Sequence, residues 1–232
     1  MFSGAGTQYP NMGRDLHERE PSFRAAMDEC LAIIDRLTDF DLRAVLYPSR
    51  GEESRAASEL ETPTRLLPAM FATEWSLVAL WRELGIEPDA MIGHSLGEYV
   101  AACVAGVMSL EDALRLVLLR GRLIETISGG AMLSLACSEE EALEATGDRL
   151  DLGLINSPGL CVVSGLREEV EIVRGELEAR GIDSRMIPVG AAAHSRHLDP
   201  ILDDFRAGVA RVELSPPERP YVSNVTGTWI EA

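Results

Sequence analysis

The sequence lacks the usual features of secreted and membrane-spanning proteins. Its 232 residues include only four cysteines, which are widely spaced and form no CxxC pair. Cysteines in apolar segments behave as small buried hydrophobic residues, so a disulfide framework is not expected. No apolar run approaches the roughly 20 residues that a membrane helix needs, and the N-terminus shows no signal-peptide pattern. These absences favour a reduced, cytoplasmic location and no membrane association.

Basic and aromatic residues are also scarce. The chain has 21 Lys and Arg residues against 38 Asp and Glu residues, a formal net charge of −17, and only 5% aromatic residues. A protein so poor in positive charge lacks the surface that neutralises phosphates, so nucleic-acid binding is not expected. Because the overall field repels anions, an anionic substrate must be held by a locally placed arginine.

The central part of the chain differs from the rest in its order of elements. The length suits one sizeable domain, or a main domain with a smaller insert. Patterns from Ala131 onward predict strands at residues 132–136, 152–155, 160–164 and 184–189, with helices opened by Ser138 and spanning 167–180. The order βαββαβ is typical of a ferredoxin-like subdomain. We therefore predict an α/β fold in which residues 129–189 interrupt a larger subdomain formed by residues 1–128 and 190–232.

Three long helices are predicted before this insert. Residues 23–37 and 109–127 show helical apolar spacing, and Pro68 is predicted to begin a long helix between them. Trp75 and Trp81 fall on the apolar face of that helix and are expected in the core.

The segment Gly93-His94-Ser95-Leu96-Gly97 lies between a short apolar run, residues 90–92, and a helix-like run, residues 96–105. A GxSxG pattern between a strand and a helix predicts a nucleophile elbow, in which a sharp turn lifts the serine hydroxyl above the sheet. A simple glycine-rich turn is the alternative. We expect Ser95 to be a nucleophile, with His94 in a supporting hydrogen bond.

A serine nucleophile needs a base. Of the four histidines, His17 lies in an early charged segment and is expected to be exposed, and His94 adjoins the serine. His194 follows three alanines that leave open space beside an imidazole, and it is the better candidate than His197. The alternatives are a loop histidine with a structural hydrogen bond, or a metal half-site of His194, His197 and Asp199. No metal site is predicted.

Two backbone amides are candidates for holding the oxyanion of an acyl-transfer intermediate. The residue after an elbow serine commonly supplies one, which here is Leu96. The second could be Ala5, between Gly4 and Gly6, although a plain strand-to-helix turn also explains that glycine loop.

Arg120 shares a helix face with large apolar residues, where a guanidinium requires a carboxylate partner. The partner could be an Asp or Glu of the protein or a substrate, and the residues alone leave both open. Asn156, in the segment Asn156-Ser157-Pro158-Gly159, is most simply a turn residue.

Seven segments along the chain carry a resemblance to a known family. They are Phe2-Ser3-Gly4-Ala5-Gly6-Thr7-Gln8, Gly93-His94-Ser95-Leu96-Gly97-Glu98-Tyr99, Arg120-Gly121-Arg122, Gly130-Ala131-Met132, Asn156-Ser157-Pro158, Ala193-His194-Ser195 and Ser223-Asn224-Val225-Thr226-Gly227. In this order they resemble the malonyl-CoA:acyl carrier protein transacylase family, and more closely the acyltransferase domains of type I polyketide synthases. The resemblance implies an α/β-hydrolase-like large subdomain and a ferredoxin-like small one, with a domain that continues beyond both ends of this chain.

The resemblance also implies roles for individual residues. Ser95 would be the acylated nucleophile, His194 the general base and acid, and Arg120 the ligand of the extender's free carboxylate. The amides of Ala5 and Leu96 would form the oxyanion hole, although the family often has glutamine at the position of Ala5. The remaining implied residues are Met132, Asn156 and Ala193 at the substrate, and His94 and Gln8 in support.

The implied reaction is that of an [acyl-carrier-protein] S-malonyltransferase, which needs no bound cofactor. An acyl-CoA would acylate the serine, and the phosphopantetheine thiol of an acyl carrier protein would then take the acyl group.

Leu96 resembles malonyl-selective members, whereas Ala193 removes bulk that would exclude an α-methyl group. The adjacent ketosynthase and other domains of a synthase would be partners. A serine esterase or thioesterase, and a catalytically silent docking domain, are the alternatives.

Overall fold

The computed structural model describes residues 1–187 and 190–230. Within them the chain divides into two compact units. The first unit comprises Met1–Arg122 and Arg206–Ala232, and the second is the single stretch Leu123–Phe205. Each unit is built around its own sheet.

Helices make up most of the first unit. They are α1 (Arg14–Arg19), α2 (Pro21–Leu37), α3 (Leu42–Leu46), α4 (Glu53–Glu59), α5 (Pro63–Glu83), α6 (Gly97–Val104), most of α7 (Leu110–Glu125) and the second half of α10 (Leu202–Val209). Helices α2 and α5 pack together, and the apolar spacing of α2 buries Phe23, Met27, Leu31 and Ile34. Burial of each such side chain contributes about 1.5–3 kcal/mol, so this pair is a large part of the core.

The prediction that Pro68 begins a helix is wrong. Helix α5 begins at Pro63, and Pro68 lies inside it. Leu66 and Leu67 are buried, so their packing favours extending the helix toward its N-terminus despite the internal proline. The predicted core position of Trp81 is also wrong, because this side chain is 52% exposed where the helix ends, whereas Trp75 is half-buried.

The sheet of the first unit is small. Strand β1 (Met91–Ile92) pairs in parallel with β6 (Tyr221–Val222), which pairs in antiparallel fashion with β7 (Trp229–Ile230). On the other side of β1, Phe2 forms a parallel bridge to Gly93. The first residues of the chain, the β1–α6 turn and the segment after β6 are therefore brought together at one end of the sheet.

The second unit has the predicted order of elements. Strands β2 (Gly130–Leu135), β3 (Asp151–Ser157), β4 (Leu160–Leu166) and β5 (Ser184–Met186) form an antiparallel sheet in the order β3-β4-β2-β5. Helices α8 (Glu139–Thr146) and α9 (Arg167–Ala179) cover it, and their apolar faces share a core with the strands. This is the sheet order of the ferredoxin-like fold that βαββαβ predicts.

Two details of this unit differ from expectation. Asn156 lies in strand β3 and not in the turn, because Ser157 pairs with Leu160 and leaves only Pro158 and Gly159 as the turn. The predicted strand over 184–189 ends at Met186, and the last two residues of that prediction lie outside the described residues. A 3₁₀ helix, Arg196–Ile201, follows further along.

The cysteines behave as the sequence predicts. All four are buried, and none forms a disulfide. Burial raises the pKa of the Cys103 thiol to about 12, so this group stays protonated at neutral pH. Among the described residues, no helix is both long enough and apolar enough to cross a lipid bilayer.

Candidate active site

Ser95 occupies the predicted strand-to-helix turn. It lies between β1 and α6 with φ of 52°, a left-handed conformation that costs a non-glycine residue about 1–2 kcal/mol. A Cβ added at Gly93 would overlap the main chain of Gly97, and one added at Gly97 would overlap Phe2. Both glycines are therefore required by close backbone approach, as in a nucleophile elbow. The simple-turn alternative does not account for this strain.

The glycine loop at the start of the chain lies against the elbow. Phe2 donates its N–H to the Ile92 oxygen at 2.8 Å, and His94 donates its N–H to the Phe2 oxygen at 2.9 Å. A Cβ added at Gly4 would overlap the ring of His94, so the loop and this histidine are in close contact. Half-buried Ala5 follows Gly4 directly.

Gln8 supports the glycine loop. Its Oε1 accepts the Gly6 N–H at 2.8 Å, and Gly6 has φ of 116°, which favours glycine. Leu96 is 1% exposed, so its side chain packs in the core while its amide directly follows Ser95. His94 and Leu96 thus flank Ser95 in the elbow, and Gln8 holds the glycine loop that contacts His94.

Arg120 of α7 reaches the Ser95 hydroxyl. Its Nη2 donates to Ser95 Oγ at 3.2 Å, and its guanidinium carbon lies 5.4 Å from the centroid of the Tyr99 ring. A Cβ added at Gly121 would lie 2.8 Å from the Pro63 oxygen, so this glycine lets α7 approach the start of α5.

Tyr99 is the aromatic partner of this arginine. Burial raises the pKa of its phenol, and the nearby Arg120 guanidinium opposes that shift. The ring is therefore neutral at physiological pH and presents its face to a cation. Sequence reasoning assigned no role to Tyr99, although its place four residues after Ser95 puts it on the first turn of α6.

Asn224 is a second residue that sequence reasoning missed. Its Oδ1 accepts the Ser95 N–H at 2.9 Å, and its Nδ2 donates to the Gly93 oxygen at 2.6 Å. The parallel pairing of β1 with β6 brings it there, since Asn224 follows β6 by two residues. Its only signal in the sequence is its place in the segment Ser223-Asn224-Val225-Thr226-Gly227.

His194, the predicted base, lies in the second unit on a loop that contacts strands β3 and β4. His194 has φ of 59° and adjoins Gly153 of β3, where an added Cβ would lie 3.3 Å from the His194 Cβ. Ser164 of β4 donates its hydroxyl to the Ala193 oxygen at 2.6 Å. The loop is thus fixed on both sides of the histidine.

An ion pair adds a third attachment to this loop. Arg196 donates its Nε and Nη2 to Asp151 Oδ1 at 2.8 and 2.6 Å, and its N–H to Oδ2 at 2.7 Å. These hydrogen bonds from Arg196 hold the pKa of Asp151 below its usual range. Asp151 is therefore ionised at neutral pH.

The second unit holds further residues that the sequence marked as candidates, and they lie in different surroundings. Met132 of β2 is buried and pairs with Ser164, so it lies beside the His194 loop. Asn156 is exposed near the β3–β4 turn. His197 Nε2 contacts the Ser128 oxygen at 3.1 Å. In the described part of the chain, no three His, Cys, Asp or Glu side chains gather as metal ligands.

A serine on a strained turn between a strand and a helix is the arrangement of α/β-hydrolase-like enzymes. The family model for the acyl transferase domain matches residues 1–229. The chain belongs to this family, which confirms the resemblance seen in its motifs.

Known proteins are similar along the whole chain. The pikromycin polyketide synthase component PikAIII of Streptomyces venezuelae is 37% identical over 234 residues, which cover 99% of this chain and 15% of that protein. A loading acyltransferase from the avermectin modular polyketide synthase superposes with a TM-score of 0.91 and 36% identity, covering 99% of this chain and 73% of that one. The predicted α/β fold is thereby confirmed.

A third relative is an acyl carrier protein S-malonyltransferase from Vibrio cholerae. It superposes with a TM-score of 0.84 and 28% identity, over 98% of this chain and 74% of that one. The chain thus spans most of these two solved structures, but only a small part of the pikromycin synthase component.

Proposed function

We propose that this chain transfers a malonyl-type acyl group from acyl-CoA to the phosphopantetheine thiol of an acyl carrier protein through an acyl-Ser95 intermediate. The observation that supports it most is the position of Arg120, whose Nη2 lies 3.2 Å from Ser95 Oγ. A guanidinium binds a carboxylate through two parallel hydrogen bonds, so an acyl group that ends in a carboxylate fits beside this serine. An esterase for neutral acyl groups has no use for this cation.

The reaction has two half-steps. In the first, Ser95 Oγ attacks the thioester carbonyl as His194 takes its proton, the carbon–sulfur bond breaks, and CoA leaves with the proton from His194. In the second, the carrier thiol gives its proton to His194 and attacks the acyl-serine, and Ser95 leaves with that proton. The reaction needs no metal and no bound cofactor.

We assign to the backbone N–H groups of Leu96 and Ala5 the role of donating hydrogen bonds to the oxyanion of each tetrahedral intermediate. Asn224 already accepts the Ser95 N–H, so the next amide along the elbow is the one left for this role. The contact between Gly4 and His94 supports Ala5 as the second donor. Only amides act here, so alanine serves as well as glutamine at position 5.

The acyl group is proposed to be malonyl. The Vibrio cholerae relative is an S-malonyltransferase, and the serine in this chain is followed by a branched aliphatic residue, Leu96. Met132, Asn156 and Ala193 are proposed to lie at the substrate. Discrimination against methylmalonyl is expected to be modest, because one methyl group is worth only about 1–3 kcal/mol.

The partners are proposed from the relatives. The matched proteins include polyketide synthases, of which this chain spans 15% or less in the examples from Streptomyces venezuelae and Streptomyces halstedii. We propose that an acyl carrier protein accepts the acyl group, and that a ketosynthase and other synthase domains are its neighbours.

Intact mass spectrometry after incubation with malonyl-CoA tests the proposed intermediate. The chain contains no lysine, so side-chain amines cannot contribute an adventitious mass gain. The wild type should gain one malonyl group, and Ser95→Ala should gain none. An unmodified wild type, or equal modification of both, contradicts the acyl-serine. Release of malonate without transfer to a carrier protein would identify a thioesterase instead.

Arg120→Ala tests the carboxylate site. The loss of a charged hydrogen bond, worth about 1.5–3 kcal/mol, should slow malonylation of Ser95 by about 10- to 100-fold and leave acetylation by acetyl-CoA unchanged or faster. Arg122→Ala is the matched control, because Arg122 lies on the same helix and donates to the Leu37 oxygen at 2.6 Å. An equal loss for malonyl and acetyl donors contradicts the assigned role.

A further inference from the structure

The strained turn at Ser95 needs a restraint outside its own segment. The serine holds φ of 52°, a left-handed conformation that is unfavourable for a residue with a side chain. A conformation of this kind persists only where surrounding structure determines it. Asn224, which lies far away in the sequence, provides that restraint through its hydrogen bonds to the elbow.

The carboxamide of Asn224 bridges the turn. It accepts from the Ser95 N–H at 2.9 Å and donates to the Gly93 oxygen at 2.6 Å, so it joins the segment before the turn to the nucleophile itself. A backbone N–H can only donate and a carbonyl can only accept, so the two contacts also identify which atom of the Asn224 carboxamide is Oδ1 and which is Nδ2. Only a side chain with one acceptor and one donor at this spacing satisfies both.

The bridge is itself held in register. Asn224 donates its own N–H to Glu98 Oε1 at 3.0 Å, and Glu98 lies in the first turn of α6. The pairing of Ile92 with Val222 sets where the chain leaves β6. Asn224 is therefore tied to the strand before the serine and to the helix after it, and it acts from the exposed side of the elbow.

We propose that Asn224 is a positioning residue that sets the direction of the Ser95 hydroxyl and of the Leu96 N–H for acyl transfer. Its carboxamide bonds to main-chain atoms of the elbow, so it acts on Ser95 through the backbone and not through Oγ. Engagement of the Ser95 N–H also keeps that group from competing for the oxyanion. This role rests on the proposed function of Ser95.

The test measures the rate constant for modification of Ser95 in the full chain with two reagents. One is malonyl-CoA, and the other is a fluorophosphonate, from which Ser95 Oγ displaces fluoride as HF leaves. Asn224→Ala removes both hydrogen bonds. Asn224→Asp keeps the shape and the acceptor but places a carboxylate oxygen against the Gly93 carbonyl. Val225→Ala is the control, because Val225 is 92% exposed in the same turn.

Both Asn224 variants should react about 10- to 100-fold more slowly with each reagent, as expected for a misplaced nucleophile. They should still reach full labelling and saturate at the same malonyl-CoA concentration, because Arg120 is held by α7. Val225→Ala should match the wild type. If Asn224→Ala fails to fold, Asn224→Asp decides.

Two results would overturn the role of Asn224. One is a wild-type rate constant in Asn224→Asp, and the other is incomplete labelling at an unchanged rate constant, which indicates partial unfolding only. A wild type that reacts with the fluorophosphonate and not with malonyl-CoA contradicts the proposed substrate and leaves the Asn224 comparison intact.

Discussion

Glu74 places a carboxyl group in an apolar environment on α5. It is 8% exposed, its Oε1 accepts the Ser3 N–H at 2.5 Å, and among the described residues its buried Oε2 has no hydrogen-bond partner. Burial raises the pKa of this group to about 7, although the hydrogen bonds from Ser3 oppose the shift. The apolar surroundings therefore favour the protonated, neutral form of the Glu74 carboxyl group.

Glu74 should therefore make stability depend on pH. Its pKa is about 7 when folded and 4.5 when unfolded, so between these values the folded chain binds a proton that the unfolded chain lacks. Its contribution to the free energy of unfolding falls as pH rises through this window, by about 3 kcal/mol in all. Glu74→Gln should remove that loss and be more stable than wild type at pH 8.

Urea unfolding of both proteins at pH 5 and pH 8 measures this effect. Glu83→Gln is the matched control, because Glu83 is exposed on the same helix and should leave the pH dependence unchanged. If wild type and Glu74→Gln lose stability equally between the two pH values, Glu74 is not the responsible group.

At the residue scale, the sequence could predict what local pattern encodes. Ser95 is marked by its flanking glycines, and Arg120 by its place among apolar residues on a helix. Asn224 could not be predicted in this way, because it acts on an amide 129 residues away through a pairing of two-residue strands. The charge state of Glu74 likewise depends on burial that only packing sets.

At the scale of elements, the loop that carries His194 depends on its attachment to β3. Asp151 is the first residue of that strand and holds Arg196 through three hydrogen bonds. Its carboxyl group, with a usual pKa of 3.8, has a lowered pKa here, so the attachment is present above that value and is lost only as pH falls further. It is thus intact throughout the neutral range.

Asp151→Asn should lower the rate of acyl transfer without abolishing folding. Loss of the charged pair should release the loop and slow Ser95 malonylation by about tenfold, since misplacement of a catalytic group is costly. The measurement is the first-order rate constant at saturating malonyl-CoA.

Glu176→Gln is the control for Asp151→Asn. Arg149 donates to Glu176 through both terminal nitrogens at 2.9 and 2.6 Å, a similar ion pair in the same unit. Its loss should change the rate little. Equal effects of Asp151→Asn and Glu176→Gln would mean that the loop attachment has no specific role.

The elements themselves were largely predictable, and their ends were not. The βαββαβ order and its Ser138 helix start follow from local patterns, and in the structure Ser138 forms a capping box with Glu141. The start of α5 was misplaced because Pro63 and Pro68 give the same local signal, and burial of Leu66 and Leu67 decides between them. Cross-strand pairing similarly extends β3 to Ser157.

At the scale of the whole molecule, charge should govern how the proposed acyl-CoA donor approaches. The net charge of −17 repels a polyanion until it reaches Arg120. Raising the ionic strength from about 0.01 to 0.1 M shortens the screening length from about 30 to 10 Å. The kcat/KM for malonyl-CoA should then rise, by roughly two- to tenfold.

A short malonyl thioester that lacks the nucleotide of CoA is the control donor. It carries far less charge, so its kcat/KM should respond weakly to salt. A decrease in kcat/KM for malonyl-CoA with added salt would show that attraction by local arginines outweighs the repulsion of the whole chain.

The division of the chain into units has a consequence for its evolution. The second unit is one uninterrupted stretch, Leu123–Phe205, whereas the first is made of two segments. Exchange of that one continuous stretch would therefore replace His194, Ala193 and Met132 together and leave the Ser95 elbow, Arg120 and Asn224 unchanged.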